Sequence, residues 1–452
     1  MAAVTPIETK PAPSLPKAFL AGMLAAALAL TGGSQAQEQA SSGGGEAALA
    51  ALRTLYRRPD GVPFPGSAPP TPAKLALGKR LFADPALSVN GTVSCTSCHD
   101  PALGFTDGVP IGRGVAKKPL VRHTPHLWNL AWGAAYFWDG RARTLEEQVR
   151  GPIENPLEMG ENLPRLAGKL GRDHSYRKAF AEAFPGHPQI GLDQIAEALA
   201  SHVRSLVSPK TRFDVWAEGQ ETALTAEEKA GFALFNGKAG CSNCHSGWAF
   251  TDRAFHDIGL PGNDPGRGKV IGLPAADHAF QTPSLRELAW TAPYMHDGSL
   301  ATLDAVLDHY DHGVVQRPSL SPDLKRVTLT EPERAGLLAF LATLSSENPP
   351  VPAPLVAAGP AAPPAAREGT VISQKDKLFQ PSAVRVHAGQ SLTIVNDDVR
   401  THNVRLDTGP RPFNSGAQEP GQSVTLPFVR PGRYELYCGI HPAMRLDVSV
   451  ER

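Results

Sequence analysis

Two copies of one five-residue pattern constrain this chain more than any other feature in it: Cys95-Thr96-Ser97-Cys98-His99 and Cys241-Ser242-Asn243-Cys244-His245. In C-x-x-C-H the two thiols bond covalently to haem vinyl groups and the adjacent histidine ligates the iron. A redox dithiol or half of a zinc site would account for the cysteine pairs, but neither explains a histidine after each. Two covalently bound haem c groups are therefore expected, with Cys95 and Cys98 carrying one, Cys241 and Cys244 the other, and His99 and His245 as iron ligands.

The chain has 452 residues, too many for one hydrophobic core. Its 44 basic and 44 acidic side chains cancel, so nothing in the charge points to nucleic acid. Lys10 and Lys17 precede the apolar run Ala18–Leu30, and Ser34-Gln35-Ala36 supplies the small residues a signal peptidase accepts, so residues 1–36 read as a cleaved secretory signal. The run has 13 residues, short of the ~20 that span a bilayer. The mature protein is expected in the periplasm with no membrane insertion. Helical periodicity follows in Leu75–Phe82, Leu192–Val207 and Ala226–Phe235, the third opened by a Thr225/Glu228 capping box, and Leu337–Leu344 closes a further helix. Each haem motif thus follows a short helix, in the manner of a cytochrome c domain. Two all-α haem domains are expected, over 50–215 and 216–347.

At Asn348 the composition changes to Pro, Ala, Val and Gly, which cannot pack a core, and 348–369 reads as a linker. Its first nineteen residues would reach at most ~60 Å as an extended Pro-rich tether. Beyond it, Ala383–Val386, Ser391–Val395, Ser423–Leu426 and Tyr434–Tyr437 alternate or are β-branched between Gly and Pro breaks, the pattern of a small β-sandwich over 370–452. The fifth cysteine, Cys438, lies there with His441 and Met444 in one loop and His402 upstream. Two imidazoles, a thiolate and a weak axial thioether make the type 1 (blue) copper set. The loop has no second cysteine for a binuclear centre, so one copper is expected. This segment resembles amicyanin and the other cupredoxins.

Leu77-Gly78-Lys79-Arg80-Leu81-Phe82, Cys98-His99-Asp100-Pro101, Phe137-Trp138-Asp139-Gly140-Arg141, Gly151-Pro152 with Glu158-Met159, and Thr291–Gly298 resemble the bacterial di-haem cytochrome c peroxidase and MauG family over roughly residues 70–345. The resemblance implies that the N-terminal haem reacts with peroxide while the C-terminal haem relays electrons. It places the inter-haem tryptophan on Trp138 and the distal residues on Gln148, Pro152 and Glu158. A carboxylate beside an open iron can take a proton from one peroxide oxygen and return it to the other. Peroxidases of this family that need reductive activation carry a blocking histidine in an Ile-Gly-His-Gly setting, whereas this chain reads Ile111-Gly112-Arg113-Gly114, and arginine cannot ligate iron. His123 and His126 are nearby substitutes. The family's interdomain calcium is held partly by an asparagine that falls on His123. Thr291 and Pro293 still offer carbonyls, but calcium prefers oxygen, so the histidine argues against this metal. For the sixth ligand of the second haem the resemblance favours Tyr310, with Met295 as the alternative.

The architecture expected is two all-α cytochrome c domains followed by an all-β cupredoxin. The function expected is a cytochrome-c peroxidase that reduces hydrogen peroxide with electrons from a small donor protein, a cytochrome c or cupredoxin, using its own copper domain as relay. Two alternatives stand beside it: a MauG-like enzyme oxidising a protein side chain through high-valent iron, and a multi-centre electron carrier without catalysis.

Overall fold

Thr71 opens the first long helix of the haem region. Its side chain accepts from the Lys74 amide, Pro72 occupies the first turn, and the helix runs Pro72–Ala83 with Leu77, Leu81 and Phe82 buried. It packs across the helix Leu192–Arg204. At the crossing is Gly78, where a Cβ would stand 2.0 Å from the Ala198 carbonyl oxygen. Only glycine lets the two backbones approach so closely. The second haem region repeats the device. The capping box of Thr225 and Glu228 opens the helix Ala226–Asn236, which crosses Glu331–Ala342 at Gly231, where a Cβ would meet the Gly336 carbonyl oxygen at 2.0 Å. A C-x-x-C-H turn follows the first helix of each pair.

The two cores differ in composition. Around the first motif the buried set is largely aliphatic, with Leu81, Leu87, Leu145, Leu166 and Leu199 about the fully buried Trp128. Around the second it is aromatic: Phe213 and Phe250 rings lie 5.0 Å apart, Phe235 and Phe340 5.2 Å. Tyr56, well before the first helix, joins this second cluster 4.9 Å from Phe250 and donates its hydroxyl to Asn236 Oδ1 at 2.6 Å. The two haem regions are thereby interleaved. They also meet at a short antiparallel ribbon, Phe255–His256 with Phe280–Gln281, whose Gln281 amide donates to the Trp138 carbonyl at 2.8 Å.

The C-terminal region is all β. One sheet runs Ser423–Pro427, Ser391–Asn396, Val371–Lys375, Leu378–Gln380; the other runs Arg367–Glu368, Ala383–His387, Arg445–Glu451, Gly432–Tyr437, Arg405–Leu406, Phe413–Asn414. Alternate residues face inward, as Leu446, Val448 and Val450 show, and Ile372, Val384, Leu392, Ile394 and Leu436 complete the core between the sheets. All four expected strands are present, joined by others that include Val371–Lys375 and Arg445–Glu451.

This computed structural model describes residues 49–187, 189–359, 366–407 and 412–452, so the expected signal segment 1–36 lies outside the described residues. Residues 53–452 form one compact unit. No helix among the described residues is long and apolar enough to cross a membrane. The first part of the Pro- and Ala-rich stretch is laid along the haem regions: the Val62 amide donates to the Val356 carbonyl at 2.6 Å, Ala358 to Val62 at 2.8 Å, and Ala353 to Val207 at 2.8 Å.

The glycine crossings predict a sharp contrast. Gly231→Val forces the second helix pair apart and should cost ~1–3 kcal/mol or more, as overpacking does. Gly168→Ala, inside the helix Leu163–Arg172 with nothing within 4 Å, should be neutral or stabilising by up to ~1 kcal/mol. Thermal loss of the Soret circular dichroism of each variant measures the difference.

Candidate functional site

Each C-x-x-C-H motif forms a single 3-10 turn, Cys95–Ser97 and Cys241–Asn243, and the following histidine amide donates back to the first cysteine's carbonyl at 2.8 Å for His99 and 2.9 Å for His245. The two imidazoles are then held alike. His99 Nδ1 lies 2.9 Å from the Phe105 carbonyl oxygen and His245 Nδ1 3.0 Å from that of Phe250. A carbonyl only accepts, so Nδ1 carries the proton and Nε2 keeps its lone pair for a metal. None of the four cysteines is in a disulfide. Burial pushes the Cys95 and Cys241 thiols up to about 12 and Cys98 up to about 11. That is the reverse of a dithiol poised for exchange, which needs a thiolate near neutral pH.

Both motifs open on one continuous cavity of about 1240 Å³, lined by Cys98, His99, Cys241, Cys244 and His245 among others. Single ligand pockets run ~300–1,000 Å³, so this space suits more than one large group. Its wall includes Arg253, which donates to the Asn129 carbonyl at 2.8 Å and pairs with no carboxylate among the described residues. Burial pushes its guanidinium down to about 10. Buried charge calls for a counter-charge, and haem propionates are anionic groups of that kind. The donors, the cavity and the cation all fit haem.

The distal residues converge on the same cavity. Thr144 caps the helix Leu145–Glu154, accepting from the Glu147 amide at 3.1 Å. Gln148 and Pro152, four residues apart, share its cavity face. The chain then turns at Asn155, whose Nδ2 donates to Glu158 Oε1 at 2.7 Å. Burial raises the Glu158 carboxyl above the usual carboxylate range, against the pull of Asn155 and Arg141. Trp138 donates Nε1 to the His123 carbonyl at 2.8 Å and lines the cavity between the regions that carry the two motifs. Phe137 packs on Gly151, and Arg141 stands 3.5 Å over the Phe137 ring.

Arg113 is exposed, donates to the Lys117 carbonyl at 2.7 Å, and is not part of the cavity wall. His126 is in the wall, but both its nitrogens are engaged: Nδ1 accepts from the Trp128 amide at 3.2 Å and Nε2 donates to the Ser284 carbonyl at 3.2 Å. His123 points Nδ1 at the Val109 and Pro110 carbonyls, 3.0 and 3.2 Å away, while its Nε2 has no hydrogen-bond partner among the described residues. Thr291 and Pro293 are in the same wall. Met295 and Tyr310 both reach the cavity. Tyr310 stands on a π-helical turn, His309–Gly313, a distortion common at functional sites. Burial raises its phenol above the ordinary tyrosine range, and it shares the cavity wall with Cys241 and Cys244 of the second motif.

In the β region the Cys438 sulfur lies 3.7 Å from His402 Nδ1 and 3.6 Å from His441 Nδ1, and the two nitrogens are 3.1 Å apart. Three donors so spaced can share one ion at about 2.0–2.3 Å each. Met444 is fully buried, tied to the triad by Cys438 N to Met444 O at 3.0 Å and Met444 N to His441 O at 2.9 Å. The Asn403 amide points at the sulfur from 3.5 Å. His402 Nε2 donates to Asp398 Oδ2 at 3.1 Å, leaving Nδ1 for a metal. Asp398 has no sequence signature. Only the fold brings it under the imidazole. Asp398→Asn should lower cupric affinity ~10–100-fold, the usual cost of losing such a support, as measured by competition with a chelator.

Comparison with known proteins agrees with this geometry. The family model for di-haem cytochrome c peroxidase matches residues 72–222, and that for a cupredoxin-like domain matches 335–448. The methylamine utilization protein MauG of Methylorubrum extorquens is 51% identical over 302 residues, 66% of this chain and 86% of the relative. Cytochrome c551 peroxidase of Pseudomonas aeruginosa is 35% identical over 295 residues, 62% of this chain and 81% of the relative. The crystal structure of a MauG-like protein associated with microbial copper homeostasis superposes with a TM-score of 0.60 at 33% identity, covering 65% of this chain and 94% of the other. The chain belongs to the di-haem cytochrome c peroxidase and MauG family, and carries a cupredoxin-like domain at its C-terminal end.

Proposed function

We propose that this is an exported di-haem c-type peroxidase that reduces hydrogen peroxide to water at the haem held by His99, with electrons passed through the haem held by His245 from a type 1 copper in its own cupredoxin domain. The observation that carries the reading is the shared cavity, in which Gln148, Pro152 and Glu158 stand with both haem motifs. Balanced, the reaction is one peroxide, two electrons and two protons to two waters. Bound haem supplies an iron that takes a peroxide oxygen and accepts electrons; the protons are handled by the chain. Glu158, steered by Asn155, takes a proton from the near oxygen and returns it to the far one. Gln148 orients the peroxide by a hydrogen bond, and Pro152, which has no amide hydrogen, shapes the pocket. The resting donor is a small cytochrome c or cupredoxin that refills the copper or the second haem.

A second reading has its own support. The 51% identity is to a MauG, and Tyr310 and Trp138 both line the shared cavity, which supports reading them as a phenolate ligand and an outlet for oxidising equivalents. In that case a protein side chain replaces the donor as the source of electrons. Steady-state turnover of peroxide with a reduced cupredoxin separates the two: rapid turnover supports the peroxidase, slow turnover with oxidation of an added protein the MauG-like role.

Two outcomes are expected. Glu158→Gln should keep both haem spectra and slow peroxide consumption by ~10²-fold or more. Because the carboxylate must be ionised to take the first proton and burial raises its pKa, the rate in the unaltered protein should rise with pH through a value above the ordinary glutamate range. That limb should vanish in the variant.

With Arg113 turned outward and His126 committed at both nitrogens, the His99 iron should be five-coordinate or water-bound when fully oxidised. Electron paramagnetic resonance should show one high-spin ferric haem, and peroxide should react without a prior electron. Two low-spin haems that ignore peroxide would identify His123, through its uncommitted Nε2, as a closing ligand, and His123→Ala should then restore the high-spin signal.

A further inference from the structure

The cupredoxin region is clamped to the second haem region by side chains that no motif announces. Asp376 and Lys377 both have positive φ, +54° and +59°, and form the tight turn between strands Val371–Lys375 and Leu378–Gln380. The turn projects Lys377 into the haem region. Its Nζ donates to Asp252 Oδ2 at 2.8 Å and to the Asn243 carbonyl at 3.2 Å, and lies 3.4 Å from Asp323 Oδ2. Asn243 is inside the second C-x-x-C-H turn, immediately before Cys244. Arg400 adds to the clamp, donating Nε to Asp323 at 2.9 Å.

Lys377 also faces the copper donors. Its backbone amide donates to Asp398 Oδ2 at 3.1 Å, the same oxygen that accepts from His402 Nε2. A continuous route therefore runs from the copper ligand His402 through Asp398 and Lys377 to Asn243 and the haem cysteine beside it. On the other side of the copper loop, Phe255 N donates to the Ile440 carbonyl at 3.2 Å and Arg267 Nε to the Gly439 carbonyl at 2.8 Å. Arg267 continues to the Asp139 and Gly140 carbonyls at 3.1 and 2.7 Å, next to Trp138. The copper loop is held in place at both edges.

We infer that Lys377 is a positioning residue for electron transfer: it locks the copper site in register with the haem attached at Cys241 and Cys244, so that electrons cross inside a docked domain and not during excursions of a tether. The inference rests on the reading that the copper site supplies the second haem. One electron leaves the site of His402, Cys438 and His441, which passes from cuprous to cupric, and arrives at the iron held by His245, which passes from ferric to ferrous; no atom moves with it.

The test uses the full-length protein with haem and copper bound. Photochemical injection of one electron at copper, followed by its appearance at haem, should give a first-order rate independent of protein concentration. Lys377→Met should slow it ~10-fold or more, at least the scale of losing one of its two charge-assisted hydrogen bonds, with the thiolate–copper and haem absorption bands retained, and Lys377→Arg should recover most of the rate. Hydrogen exchange gives a readout without turnover: the Phe255 amide, bonded to Ile440, should exchange faster in Lys377→Met than in the unaltered protein. Equal transfer rates in Lys377→Met and the unaltered protein, or equal protection of Phe255, overturns the inference. Absence of any copper-to-haem transfer in the unaltered protein instead sinks the donor reading on which it rests.

Discussion

An imidazole ligates a metal through one nitrogen, and the bond made by the other decides which nitrogen that is. Three histidines here are set in this way: His99 by the Phe105 carbonyl, His245 by the Phe250 carbonyl, and His402 by Asp398. Each bond fixes a tautomer and a ring orientation at once. The local backbone is built to make it. After each C-x-x-C-H turn the chain doubles back, through Phe105 at φ +64° and Phe250 at φ +52°, so that a carbonyl meets the ring of the histidine it has just left. A phenylalanine in the left-handed region is strained, and its burial in the core on both occasions holds the strain in place.

Around these fixed points the two haem regions are variations on one plan. Both cross a pair of helices at a glycine and hang the motif from the end of the first. They differ on the face turned to the cavity. The first region adds the helix Leu145–Glu154 and the Glu158 turn, which bring a carboxylate, an amide and a proline together. The second adds the π-helical turn that carries Tyr310. On the proposed reading, the same scaffold therefore serves an iron that must admit a small molecule and one that need only pass electrons.

Much of this was legible in the sequence, for reasons that are local. Two C-x-x-C-H motifs, the Thr225/Glu228 box and the alternation in Ala383–Val386 or Ser391–Val395 each need only neighbours along the chain, and each appears where expected. The expected helix at Leu192–Val207 ends at Arg204, where the Ser205 amide caps it by bonding back to the last turn. Other features depend on distant partners. Lys377 is an unremarkable turn lysine until the fold sets it against Asp252 and Asn243. The Pro-rich stretch shows the same limit: its composition excludes a core of its own, but not the hydrogen bonds by which 353–358 lie on Val62 and Val207. Arg113 is legible in the sequence only by what it cannot do, ligate iron; the fold turns it outward to the Lys117 carbonyl.

On the proposed reading, fusing a copper domain to a di-haem peroxidase has a physical consequence beyond convenience. Peroxide needs two electrons while a copper and a haem each handle one at a time, so on that reading the second must follow the first before the oxidised centre is spent elsewhere. A donor that must diffuse in for each electron leaves that interval to chance; a docked donor sets it by geometry. The docking that would shorten the first step also buries the candidate copper ligands, since His441 is only 5% exposed and Ile440 packs against Ile271, Leu273 and Ala276 of the haem region. The loop between Cys438 and His441 is therefore turned inward, toward the haem region. On the proposed reading an external partner must recharge the copper through another face of the β-sandwich, or deliver its electron to the second haem directly. On that reading, fast internal supply and slow external access are two effects of the same buried contact.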